Sequence, residues 1–123
     1  MANLKPKILV MEDERPLAHA LELKLSGEGY EVVVASSGLV GLELLEESTF
    51  DVVLLDLMMP QMDGFQVLEK LRVGKTMPYV IVLSNLGQHE DEEKALSLGA
   101  KKYFVKSNTS LSMVVEQVKQ AVA

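Results

Sequence analysis

The sequence contains no cysteine, which excludes a disulfide framework, a thiolate metal site and a cysteine nucleophile. It lacks a surplus of positive charge as well: 12 Lys and Arg stand against 18 Asp and Glu, a formal net charge of −6. That sign disfavours direct binding to nucleic acid or to an anionic membrane, since both require a basic surface. No apolar run approaches the roughly 20 residues that span a bilayer. Met1 to Pro6 hold no apolar stretch of signal-peptide type. Internal repeats, low-complexity tracts and linkers are absent too. These absences suit a cytoplasmic protein.

What is present is a core. Hydrophobic residues make up 48% of 123, too many for a disordered chain. The length fits one domain over 1–123 and leaves no room for a second. Short runs rich in Val and Ile recur at Ile8–Met11, Val32–Ala35, Val52–Leu55, Val80–Leu83 and Tyr103–Val105. They mostly lack polar alternation, as do strands of a parallel sheet covered on both faces.

Helical periods fill the gaps between the runs. Pro16 suits a first turn, and Leu17, Leu21 and Leu25 repeat every fourth residue until Gly27 and Gly29. Val40, Leu44 and Leu45 mark a second helix, and Leu68 and Leu71 a third that opens after Asp63-Gly64. Glu90, Asp91, Glu92 and Glu93 favour the N-terminus of a fourth. Leu111, Val114, Val115, Val118 and Val122 give the fifth the 3.6-residue period. Strict alternation of strand and helix predicts a doubly wound α/β domain, whose working site lies at the carboxyl ends of the strands.

The residues that follow each run are therefore the candidates. Glu12, Asp13 and Glu14 follow the first, Asp56 the third, Ser84 the fourth and Lys106 the fifth, while Ser36 and Ser37 after the second bring nothing reactive. One Asp at a strand end is commonly a turn or helix cap, a lone serine a cap, and a lone lysine a surface residue. If the first and third strands are neighbours, Glu12, Asp13 and Asp56 converge, and their mutual repulsion calls for a cation. An all-oxygen set suits Mg²⁺. A carboxylate can then act as nucleophile in phosphoryl transfer, with a lysine and a hydroxyl meeting the phosphoryl oxygens.

The ordered set of acidic pair, Asp56, Ser84 and Lys106 resembles the receiver domains of bacterial two-component response regulators, across essentially the whole chain. Its strongest piece is Asp56-Leu57-Met58-Met59-Pro60-Gln61-Met62-Asp63-Gly64, which is similar to that family's phosphoacceptor loop. The resemblance implies a flavodoxin-like (βα)5 fold, with a five-stranded parallel sheet of order 2-1-3-4-5. It implies that Asp56 takes a phosphoryl group from a histidine kinase or phosphotransfer protein. Asp13, Asp56 and the Met58 backbone carbonyl would bind Mg²⁺ directly, and Glu12 through a water. Ser84 would hydrogen-bond the phosphoryl group and Lys106 would pair with it. Tyr103 stands at the family's switch-aromatic position; it would move inward with Ser84 and alter the face made by the fourth helix, fifth strand and fifth helix. Such a domain is a signalling phosphoacceptor rather than an enzyme acting on a separate substrate. Its output would be an effector protein or a C-terminal output domain, without direct nucleic-acid or membrane contact. A homodimer through the fourth-helix face is compatible with the resemblance.

Three positions depart from the family pattern. Glu12 stands where Asp is frequent, and Asn85 follows Ser84 where Ala or Gly predominates. Ser107 follows Lys106 where Pro in a cis peptide is usual, so the loop is expected to be trans, a non-proline cis bond costing about 2.5–4 kcal/mol. In the family the residues two past the acceptor and two past the hydroxyl flank the path of hydrolytic water. Here they are Met58 and Leu86, both apolar, which predicts slow self-dephosphorylation.

Other motifs lead nowhere. Gly74-Lys75-Thr76 is similar to the tail of a P-loop, but Glu69 occupies the position of the required first glycine, and no G-x-G-x-x-G follows the first strand. His19 and His89 are isolated, and Met58, Met59 and Met62 read as loop packing. Three rivals remain, the first of them inside the family: a receiver cut from a longer protein, such as a transcription factor or a hybrid kinase. A Mg²⁺-dependent small-molecule phosphatase would need a second acid and a substrate-covering cap, and a phosphate-independent docking module would not need the full acceptor set.

Overall fold

A computed structural model describes residues 5–74 and 77–123. Strands β1 (Lys7–Met11), β2 (Glu31–Ala35), β3 (Val52–Leu55), β4 (Tyr79–Ser84) and β5 (Lys102–Val105) form one sheet of order β2-β1-β3-β4-β5. Every neighbouring pair is parallel. Helices α1 (Arg15–Gly27), α2 (Gly38–Glu47), α3 (Gly64–Arg72), α4 (His89–Ser97) and α5 (Leu111–Val122) connect and cover the strands.

The sheet is buried on both faces, and the period of two along each strand divides its residues between two cores. Leu9, Met11, Val53, Leu55, Val80 and Val82 face Val67, Leu68 and Leu71 of α3 and Ala95 of α4. Ile8, Val10, Val52, Leu54, Ile81 and Leu83 face Leu21 and Leu25 of α1 and Val114, Val115 and Val118 of α5. Each such side chain contributes about 1.5–3 kcal/mol by leaving water. The outer strands β2 and β5 are only partly covered, as their position requires.

The helix ends follow local chemistry. Pro16 occupies the first turn of α1. Gly29, at φ 95°, closes that helix: its N–H bonds the Ser26 carbonyl at 3.0 Å, and the Tyr30 N–H reaches the Leu25 carbonyl at 3.3 Å. Thus α1 includes Gly27 and stops through Gly29 alone. Asp63 and Gln66 form a reciprocal capping box at the start of α3, and Ser110 caps α5 through the Met113 N–H. In α2 the buried residues are Gly38 and Gly41, whereas Val40 is exposed.

Gly74 lies just after α3, outside any strand-to-helix turn; Lys75 and Thr76 of the P-loop-like triplet fall outside the described residues. His19 and His89 are exposed on α1 and α4. Among the described residues no helix is long and apolar enough to cross a membrane, and no peptide bond is cis.

Candidate functional site

Strand register brings the carboxylates together. Met11 pairs with Leu55, so the next residue of each strand, Glu12 and Asp56, emerges at the same level. The backbone ladder continues one step past the strands: the Asp56 N–H donates to the Met11 carbonyl at 3.0 Å, and the Glu12 N–H to the Ala35 carbonyl at 3.0 Å. Both side chains are thereby fixed by main chain, and both are almost fully buried at 3–4% exposure. Asp13 stands beside them on the exposed side.

The loop after β3 folds back tightly. The Asp56 Oδ1 accepts from the Met58 N–H at 3.0 Å, and the Gly64 N–H donates to the Leu57 carbonyl at 2.9 Å. A Cβ on Gly64 would lie 2.7 Å from both the Asp56 carbonyl oxygen and the Leu57 Cα, so glycine is the residue that lets α3 start here. Met58 itself is 54% exposed at the rim.

Lys106 reaches in from the end of the outer strand β5, two strands away from β3. It opens a short 3₁₀ turn, Lys106–Asn108, held by the Thr109 Oγ1 donating to the Val105 carbonyl at 2.8 Å. Its Nζ lies 2.9 Å from Asp56 Oδ2 and 2.9 Å from Glu12 Oε1, and it also bonds Glu14. Burial, the largest effect, pushes the Glu12 carboxyl up to about 7; the Lys106 hydrogen bond and the Glu14 N–H oppose it, and the Asp56 charge adds to it. Burial would lower the Lys106 ammonium, but its bonds to Glu14, Glu12 and Asp56 outweigh that and hold it above the usual lysine range.

Glu12, Asp13 and Asp56 each offer a carboxylate oxygen, all within 4.8 Å of one another. Three hard oxygen donors, two of them buried and one open to water, fit a cation such as Mg²⁺, which takes few protein carboxylates and keeps several waters. In this structure the Lys106 ammonium provides the positive charge that the cluster requires.

Ser84 is fully buried at the end of β4, level with Val105 of β5. Its Oγ accepts from the Leu86 N–H at 3.4 Å rather than bonding Asp56 or Lys106. Tyr103 is half-buried, and its hydroxyl donates to the Leu86 carbonyl at 2.6 Å. Burial, with smaller contributions from Asp91, Glu92 and Asp56, pushes that phenol up to about 12, so it remains a donor. Ser84 and Tyr103 are therefore linked through the two ends of one residue, Leu86, a connection that strand-end reasoning does not reveal. The contact of Glu14 with Lys106 is the second feature it misses: Glu14 follows Asp13 in the sequence, but nothing in the pattern says where its longer side chain reaches.

Comparison with known proteins gives a consistent result. The family model described as "Response regulator receiver domain" matches residues 8–118. A "Probable transcriptional regulator ycf27" of Guillardia theta is 42% identical over 102 residues, 83% of this chain and 40% of that protein. The "Response regulator ArlR" of Staphylococcus saprophyticus is 38% identical over 100 residues, 81% of this chain and 45% of that protein. The chain thus spans less than half the length of these curated relatives. Among solved structures, the Francisella response regulator 1452 receiver domain superposes with a TM-score of 0.89 at 31% identity, covering 95% of this chain and 96% of that one.

Proposed function

The chain belongs to the response regulator receiver domain family, and on that premise we propose that it is a phosphorylation-switched signalling domain in which Asp56 is the phosphoacceptor. The observation that carries this reading is the convergence of Glu12, Asp13, Asp56 and Lys106 at the carboxyl ends of β1, β3 and β5.

Asp13 and Asp56, with the Met58 carbonyl, would hold Mg²⁺, and Glu12 would do so through a water. The ion, when bound, neutralises charge on the transferring phosphoryl group and helps align it. An Asp56 carboxylate oxygen attacks the phosphorus of a phosphohistidine on a kinase or phosphotransfer protein. The new O–P bond forms as the P–N bond breaks, and the imidazole leaves with the electron pair. Lys106 then pairs with a phosphoryl oxygen in place of the Asp56 carboxylate oxygen it now holds, and Ser84 Oγ turns from the Leu86 N–H to a second. The added charge of about −1.5 to −2 is what the site must accommodate.

The readout follows from Leu86. Ser84 and Tyr103 hold its N–H and its carbonyl, so a move of Ser84 toward phosphate loosens one end of the peptide pair that anchors Tyr103. That transmits the event to α4, β5 and α5. Residues 1–123 act as one receiver, cytoplasmic, upstream of an effector protein or an output domain, as the longer relatives suggest. Met58 and Leu86 cannot orient a hydrolytic water by hydrogen bonding, which favours a long-lived acyl phosphate.

Titration with beryllofluoride and Mg²⁺, followed by NMR, tests the reading. A receiver shows saturable shifts around Asp56 that extend to α4, β5 and α5. Turnover of a small phosphate ester without such shifts identifies a phosphatase, and no response to either identifies a docking module.

A further inference from the structure

We propose that Glu14 is a positioning residue for Lys106, holding the ammonium at the site when Glu12 and Asp56 are engaged by a divalent cation; this rests on the phosphoacceptor reading above. An ammonium has three N–H donors. Here they meet three carboxylates, Glu12, Asp56 and Glu14. Glu12 and Asp56 belong also to the trio that fits a metal ion, whereas Glu14 does not. Lysine and cation therefore share two partners, and Glu14 is the one that Lys106 has to itself.

Local structure leaves Glu14 available for that task. It sits at the N-cap of α1, where an acidic side chain would ordinarily accept a backbone N–H from the second or third helical residue. The second residue is Pro16, which has no N–H, and Glu14 makes no side-chain cap bond. Its carboxylate instead crosses to Lys106, a residue 92 positions away. Its own N–H meanwhile donates to Glu12 Oε2 at 3.0 Å, so the backbone at Glu14 keeps Glu12 in place whatever side chain it carries. With Glu14 as a fixed anchor, Lys106 can release Glu12 and Asp56 without leaving the pocket, and its freed protons face the phosphoryl oxygens.

The test is a double-mutant cycle on beryllofluoride affinity in saturating Mg²⁺, read by NMR, with Glu14→Gln, Glu14→Ala and Lys106→Met. Both Glu14 variants should weaken beryllofluoride binding about five- to tenfold, as expected for coupled neighbours. Mg²⁺ affinity should shift no more than about twofold, because Glu14 lies outside the carboxylate trio that fits the ion and half of its side chain is open to water. In the Lys106→Met background the Glu14 effect should vanish. Equal losses in both backgrounds, or wild-type affinity in both Glu14 variants, overturn the proposal while leaving the acceptor role of Asp56 intact. Wild-type protein that binds no beryllofluoride overturns both.

Discussion

Lys106 is the residue on which the charge balance of the site depends. Its side chain is 9% exposed and lies between Glu12 and Asp56, each 3% exposed. Removing one partner of a buried ion pair leaves the others uncompensated, which costs about 3–5 kcal/mol. This cluster opens to water on the Asp13 side, so Lys106→Met should cost roughly 3 kcal/mol, the lower end of that range, in urea unfolding with chelator present. Mg²⁺ should recover more stability in the variant than in the wild type, because it then supplies the only neutralising charge. On the phosphoacceptor reading proposed above, Met58 and Leu86 would set how long the phosphoryl group lasts. Replacing both with Asn should accelerate decay of the acyl phosphate on the order of tenfold, modest beside the roughly 10²–10⁴ of a positioned general base. Radiolabel loss from isolated protein measures it, and an unchanged rate would remove the basis for a long-lived phosphoryl state.

Among the elements, the β3–α3 connection is the least tolerant. Ala in place of Gly64 would improve helix propensity by less than about 1 kcal/mol. Its Cβ, however, would press at 2.7 Å on main-chain atoms of Asp56 and Leu57, just past the end of the central strand β3, and main chain cannot rotate away as a side chain would. Overpacking of that kind costs about 1–3 kcal/mol, so Gly64→Ala should destabilise the fold and displace Asp56. Chemical unfolding would show a lower midpoint, and Mg²⁺ would bind more weakly. The elements themselves were legible because parallel strands buried on both faces write continuous apolar runs: the run Val52–Leu55 is the whole of β3. Helix α2 was less so. Leu44 and Leu45 pack against the core as their spacing predicts, but Val40 turns outward, and the fully buried positions of the helix are Gly38 and Gly41, which no apolar pattern marks.

For the whole molecule, strand order converts distance in sequence into proximity. The order β2-β1-β3-β4-β5 places β1 beside β3, and one register step beyond Met11 and Leu55 puts Glu12 next to Asp56. The convergence of Glu12, Asp13, Asp56 and Lys106 was therefore readable from their places after the strands, since the sheet fixes where each must emerge. What lies beyond the reach of the pattern depends on side-chain length and loop path: Glu14 bending to Lys106, and Leu86 joining Ser84 to Tyr103. If this convergence makes Asp56 a phosphoacceptor, intact-mass measurement after incubation with Mg²⁺ and acetyl phosphate will show it. A single phosphoryl adduct should form on the wild type, disappear on adding chelator before the phosphodonor, and be absent from Asp56→Asn. A wild type that stays unmodified, or an Asp56→Asn protein that gains the same adduct, would contradict it.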